Sequence, residues 1–174
     1  MIIETPRLFL LAGTADRLRA ELQGITDLAA ALRAEIPSAW PPPLYDEAAV
    51  RWMLERVEAD PVWATWGSRY FLHKQEGGPI AVGAGGFKGP PNAEGTVELG
   101  YSVLPQYQRQ GFATEAVEGM LAFARQQTEV RRVTAETLPT LVPSIGVLEK
   151  TGFDLTEEAA GDGVLRFARN FDGP

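Results

Sequence analysis

Apolar and polar positions along this 174-residue chain switch repeatedly between a period near two and a period near 3.6. Thr5 to Leu11 reads as a short first strand behind a proline-limited start. Thr14 to Gln23 and Thr26 to Ala34 read as two short helices separated by Gly24, each preceded or opened by a threonine cap candidate. The run Ile36 to Pro43 cannot continue a helix and is expected as an ordered loop carrying Trp40. Asp46 is placed to cap a helix running to about Ala59, with Val50, Met53, Leu54 and Val57 on one face.

Alternation returns at Arg69 to Lys74, followed by a turn at Glu76 to Pro79 and a strand from Ile80 to Phe87, which together make a hairpin. Gly83, Gly85 and Gly86 either make room for a ligand or let helices pack closely. They do not form a dinucleotide fingerprint, because Lys88 stands at the third glycine position and Pro90-Pro91 forbid the helix that must follow. Thr96 to Val103 is the next strand, with Val97, Leu99, Tyr101 and Val103 on one face and Glu98, Gly100 and Ser102 on the other. Pro105 has no N–H to give a neighbour, so strand pairing is expected to lapse just before it.

Ala113, Ala116, Val117, Met120, Leu121 and Ala124 form one apolar stripe at helical spacing, in a helix expected to reach about Gln127. A strand from Val130 to Thr137 follows, so the two strands flanking that helix should be parallel. The segment from Pro143 reads as a helix with proline in its first turn and Gly152 at its end. A last hairpin is expected from Phe153 to Glu158, through Gly161-Asp162-Gly163, to Val164–Phe171. The stretch Gln108 to Ala116 thus joins a strand to a helix start. Such a start leaves main-chain N–H groups unpaired at the positive end of the helix dipole, and small Gly111 and Ala113 keep an anion's approach open.

Gln108-x-x-Gly111-x-Ala113 resembles the (Gln/Arg)-x-x-Gly-x-(Gly/Ala) pyrophosphate loop of the GNAT acetyltransferase superfamily, in which successive backbone amides hold the diphosphate of acetyl-coenzyme A. Thr5-Pro6-Arg7-Leu8-Phe9-Leu10 resembles the Thr-x-Arg-Leu-x-Leu opening of that superfamily's ribosomal-protein N-acetyltransferase branch. Ser144, Val147, Leu148, Glu149, Lys150, Gly152 and Phe153 match a second signature, Asn-x-x-Ser-x-x-Val-Leu-Glu-Lys-x-Gly-Phe, with Leu141 standing where it has asparagine. That asparagine commonly touches the pantetheine arm, so either Thr140 compensates or that amide contact is absent. The resemblance implies one domain over residues 1–174 with an α/β (α+β) GNAT fold. Its central sheet would be mixed and splayed, of about seven strands, with helices on both faces and the pantetheine arm in the wedge between strands. It implies acetyl-coenzyme A as co-substrate, held by Val103, Leu104, Gln108, Arg109, Gln110, Gly111, Phe112, Ala113 and Thr114. Trp40, Trp52, Trp63 and Trp66 fall in the region that lies over the acceptor groove in this family, either lining a pocket or packing under long loops.

Transfer of an acyl group from a thioester to an amine needs an unprotonated amine, a polarised carbonyl and a proton for the leaving thiolate. An unpaired backbone N–H near Val103 or Leu104 would serve the carbonyl. Glu98, a carboxylate within an apolar strand, is the candidate base, with Glu136 in reserve; the alternative is a strand glutamate facing water or paired with arginine. By the resemblance Ser144 relays a proton to the thiolate, against the alternative of a helix-opening serine, and position 148, where other branches place a tyrosine acid, is leucine. Arg109 either pairs with a coenzyme phosphate or is solvated; Thr114 either reaches the diphosphate or is a polar first-turn residue. His73, the only histidine, is expected to be structural and leaves no multi-histidine metal site.

Composition narrows the setting without changing this picture. Hydrophobic residues at 45% and charged residues at 22% are ordinary for a soluble globular chain. The N-terminal segment lacks a secretory pattern, and the absence of cysteine excludes disulfides and a thiolate nucleophile, so a cytoplasmic location is expected. A net charge of −7 with pI near 4.8 disfavours nucleic acid as a partner, and either suits a cationic amine or simply keeps the chain soluble. The expected partners are an amine-bearing small molecule or a protein N-terminus, with no membrane association and a homodimer common in the resembled branch. The alternative from another class is a non-catalytic acyl-coenzyme A sensor or binding module.

Overall fold

The alternating segments pair into one mixed sheet in the computed structural model, which describes residues 1–157 and 163–171. Among the described residues the strands are β1 (Ile2–Glu4), β2 (Leu8–Ala12), β3 (Ser68–His73), β4 (Ile80–Phe87), β5 (Thr96–Val103), β6 (Arg132–Thr137), β7 (Asp154–Glu157) and β8 (Leu165–Asn170). They lie in the order β1-β2-β3-β4-β5-β6-β8-β7, and only the β5–β6 pair is parallel. The helices are α1 (Ala15–Gln23), α2 (Ile25–Leu32), α3 (Glu47–Ala59), α4 (Trp63–Trp66), α5 (Phe112–Arg125) and α6 (Val142–Lys150). Eight strands replace the expected seven because β1, three residues long, pairs antiparallel with β2 and is too short to show a period. Most of the last turn, expected at Gly161-Asp162-Gly163, lies outside the described residues.

The sheet is buried on both faces across β2 to β4. On one face Leu8, Leu10, Phe71, Val82 and Leu99 pack under the α5 stripe of Ala116, Val117, Met120 and Ala124, joined by Leu148 of α6. On the other, Leu11, Tyr70, Leu72 and Ala81 pack under Leu28 and Leu32 of α2. The α5-side cluster also takes in Val97 and Leu99 of β5 and Phe112 at the start of α5, so the elements flanking the loop are anchored on that face.

Local signals fared unevenly. Asp46 caps α3 as expected, its Oδ1 accepting from the Ala49 N–H at 2.9 Å. Neither threonine caps its helix: Thr14 sits at the N-cap of α1 without a side-chain bond, and Gly24 opens α2, leaving Thr26 inside the first turn. The glycines of β4 answer to a close approach by neighbouring strands. A Cβ on Gly83 would lie 2.4 Å from Ser102 O, and one on Gly85 2.7 Å from the Phe71 ring. Trp66 is buried, edge-on to Phe87 and Phe123. Trp40 donates from Nε1 to Glu21 at 2.8 Å, and Tyr45 and Tyr70 donate to the same carboxylate, so this tryptophan bolts the proline-rich loop to α1 and β3. Burial pushes the Glu21 carboxyl up despite the three donors.

Candidate active site

Loop residues 108–111 are solvent-exposed, and Gly111 enters α5 with φ +83°. Arg109 also has positive φ, +61°, so the backbone turns twice before the helix begins. The first helical bond of α5 runs from the Glu115 N–H to Gly111 O at 3.0 Å. Among the described residues, the N–H groups of Arg109, Gln110, Gly111, Phe112, Ala113 and Thr114 have no acceptor. Six consecutive unpaired donors at a helix N-terminus suit a multiply charged anion. The Phe112 ring is buried and anchors the turn from beneath, against His73 at 4.7 Å, while its amide stays in the row. His73 is thus a packing residue under the loop.

Sequence reasoning missed the clamp that holds this loop. Glu115, in the first turn of α5, accepts from Thr5 Oγ1 at 2.6 Å, the Arg7 N–H at 2.7 Å and Arg7 Nε at 2.6 Å. Arg7 Nη1 donates to Gln110 O at 3.0 Å and its guanidinium lies over the Phe112 ring. The Thr-x-Arg opening was the available signal, but nothing local says where it docks. Burial disfavours the Glu115 charge, yet the Thr5 hydroxyl and then the Arg7 amide and guanidinium outweigh it and hold the carboxyl below the ordinary value of 4.5. A depressed carboxyl stabilises the fold above its unfolded pKa, and that contribution is lost as pH falls through the lowered value. The melting-temperature deficit of Glu115→Gln is therefore expected to be full at pH 7, to shrink below about pH 4.5 and to vanish in stronger acid. A deficit independent of pH would contradict the clamp.

Beside the loop the sheet opens. The β5–β6 ladder runs from Thr96↔Arg132 to Leu99↔Ala135 and stops, although β5 continues to Val103 and β6 to Thr137. Pairing with β6 therefore ends well before Pro105, whereas β5 stays with β4 through Val103↔Gly83, up to the expected end before Pro105, while β6 follows β8. The Leu104 N–H donates to Val82 O at 2.9 Å and its side chain is fully buried, so Leu104 is not available to polarise a carbonyl. Strand N–H groups alternate edges, so those of Tyr101 and Val103 point into the gap. Val103 O is already taken by Gln108 Nε2 at 2.9 Å, which ties the loop to the strand end. Across the gap the Thr137 hydroxyl is buried with no hydrogen-bond partner among the described residues.

Glu98 pairs with Lys88 rather than arginine, and its side chain is 32% exposed. It stands opposite Thr134 in the ladder, one residue before the last pair, and shares a cavity of about 190 Å³ with Arg132, Glu136, Thr156 and Arg166. Glu136 pairs with Arg166 Nε at 3.1 Å. Gly100, on the same face as Glu98, has no atom within 4 Å of where a Cβ would stand, so the face is open at the point where the strands part. Ser144 lies in the first turn of α6, but Leu141 is the N-cap, and the Ser144 hydroxyl meets Tyr101 Oη at 3.2 Å. Thr114 and Arg109 carry no side-chain bond among the described residues.

Residues 17–154 match the family model described as an acetyltransferase (GNAT) domain. The chain is 33% identical over 79 residues to the uncharacterized N-acetyltransferase YjdG of Bacillus subtilis (strain 168), a match covering 45% of this chain and 47% of that protein. The aligned stretch thus spans about half the length of that curated relative. The fold is similar to a GNAT-family acetyltransferase from Bacillus anthracis, with 20% identity, TM-score 0.65 and 98% of each chain covered. It is also similar to RimL, a ribosomal L7/L12 alpha-N-protein acetyltransferase solved with coenzyme A, with 17% identity, TM-score 0.68 and 100% of each chain covered. Among the described residues no helix is long and apolar enough to cross a membrane.

Proposed function

The chain belongs to the acetyltransferase (GNAT) family, and from that premise we propose that it moves the acetyl group of acetyl-coenzyme A directly to a primary amine in a ternary complex. The observation that carries this reading is the row of six unpaired amides, Arg109 to Thr114, next to the gap between β5 and β6. The diphosphate sits on those amides and the pantetheine tether lies in the gap. There the Val103 N–H polarises the thioester carbonyl and Glu98 takes the ammonium proton, directly or through water. Ser144 gives a proton to the departing thiolate. The acceptor is a small-molecule amine or a protein N-terminus.

The Thr137 hydroxyl supports the same placement, since a buried orphan polar group beside the gap gains a partner when an amide-bearing tether enters. Thr137→Val is expected to raise KM for acetyl-coenzyme A about threefold to tenfold, the worth of one hydrogen bond, without lowering the melting temperature. An unchanged KM would place the tether elsewhere.

Free-thiol release, followed with acetyl-coenzyme A and a panel of amines and N-terminal peptides, tests the reaction. The transferase reading expects release that depends on the amine. Coenzyme binding with no release from any acceptor would favour the sensor alternative, for which Leu141, an α6 N-cap without a polar side chain, and Leu148, in place of a tyrosine acid, are the motivating departures.

A further inference from the structure

The departing thiolate needs a proton, and Ser144 alone is a poor source. An aliphatic hydroxyl that gives up its proton must recover one at once. Tyr101 stands where it can supply it. It lies on β5 beyond the last residue paired with β6, on the face toward α5 and α6. Its hydroxyl is 3.2 Å from Ser144 Oγ, where either oxygen can donate, and 3.1 Å from Ser144 O, to which the phenol O–H donates at rest, so the relay requires that proton to swing from the carbonyl to Oγ. Tyr101 belongs to β5 and Ser144 to α6, 43 positions apart. Ser144 Oγ is not spent on capping, because Leu141 occupies the N-cap and its carbonyl takes the Ser144 N–H at 2.9 Å. Leu148, also on α6, is fully buried and apolar.

Resting on the transferase reading, we infer that Tyr101 and Ser144 form a two-hydroxyl relay, Ser144 donating to the coenzyme sulfur and Tyr101 positioning and reprotonating Ser144. As the amine nitrogen bonds to the carbonyl carbon, the C–S bond breaks and its electron pair stays on sulfur. The Ser144 proton goes to sulfur and the Tyr101 proton to Ser144 Oγ. The proton shed by the amine through its base returns to Tyr101 by way of solvent, so the products are an amide and a free thiol with both hydroxyls restored. Burial raises the Tyr101 hydroxyl pKa, so it gives up its proton only as charge builds on sulfur.

The test is a double-mutant cycle on steady-state kinetics with acetyl-coenzyme A and an acceptor amine. Tyr101→Phe and Ser144→Ala are each expected to lower kcat about tenfold to hundredfold, with KM for acetyl-coenzyme A changed less than about twofold. The double variant should be no slower than the worse single one, because the two hydroxyls act as a unit. An unchanged kcat in Tyr101→Phe, multiplied rather than shared losses, or a loss confined to KM would overturn the relay. Melting temperature and coenzyme Kd, measured on each variant, are expected to match wild type; a Tyr101→Phe loss that follows either of them would mark a structural role. Absence of wild-type turnover would overturn the transferase reading itself, whereas wild-type turnover with an unaffected Tyr101→Phe overturns the relay alone.

Discussion

Gly111→Glu is expected to raise the Kd for acetyl-coenzyme A by more than about a hundredfold, the equivalent of losing two charge-assisted hydrogen bonds. Two effects combine. The residue sits at φ +83°, where a side chain other than glycine or asparagine costs about 1–2 kcal/mol, so the turn relaxes and the amides lose their common aim. The new carboxylate also stands in the anion's place, with its Cβ 3.2 Å from Arg7 Nη2, and takes the local positive charge for itself. Gly111→Asn separates the two, since asparagine tolerates positive φ and brings no charge, and it should retain binding within about tenfold. Calorimetry on both variants reads the difference. Wild-type affinity in Gly111→Glu would mean that the diphosphate binds elsewhere.

Glu98→Gln is expected to lower kcat about a hundredfold to ten-thousandfold, the usual contribution of a positioned base, with coenzyme Kd unchanged. Glutamine keeps the shape and the cavity lining but cannot accept the ammonium proton. Lys88 makes the prediction sharper, because a carboxylate that serves only as a surface ion-pair partner contributes at most about 1 kcal/mol to stability and nothing to kcat. Glu136→Gln is the control on the same cavity wall. A silent Glu98→Gln with a slow Glu136→Gln would move the base to Glu136, and two silent variants would leave the proton to water.

The strand and helix around the loop were legible in the sequence because each carries a complete period of its own. Thr96 to Val103 was read with the bounds it has, and Ala116, Val117, Met120, Leu121 and Ala124 of the α5 stripe lie on the core as their spacing requires, while Ala113, in the first turn, is only half-buried and outside it. What was hidden depends on where distant segments come to rest. Arg7 and Glu115 are 108 positions apart, and their clamp exists only because β2 and the start of α5 meet at one end of the sheet. The partner of Glu98, lysine instead of arginine, follows from β4 running past β5 so that Lys88 comes alongside. Pro105 marks the end of pairing with β4, as its missing N–H requires, but the earlier separation from β6 was hidden, because it follows from β5 and β6 each staying with its other neighbour. The four residues of α4 carry too little periodicity to be read, and the threonine cap candidates failed because preference for a cap position does not specify which of several polar residues occupies it.

The central claim concerns particular main-chain amides, and an ¹⁵N–¹H correlation spectrum of the chain titrated with coenzyme A observes them directly. The largest shifts should fall on the amides of residues 109–114, with the indole signals of Trp40 and Trp66 little changed. Saturable binding that leaves the 109–114 amides unmoved would contradict the account, as would an absence of binding at millimolar coenzyme.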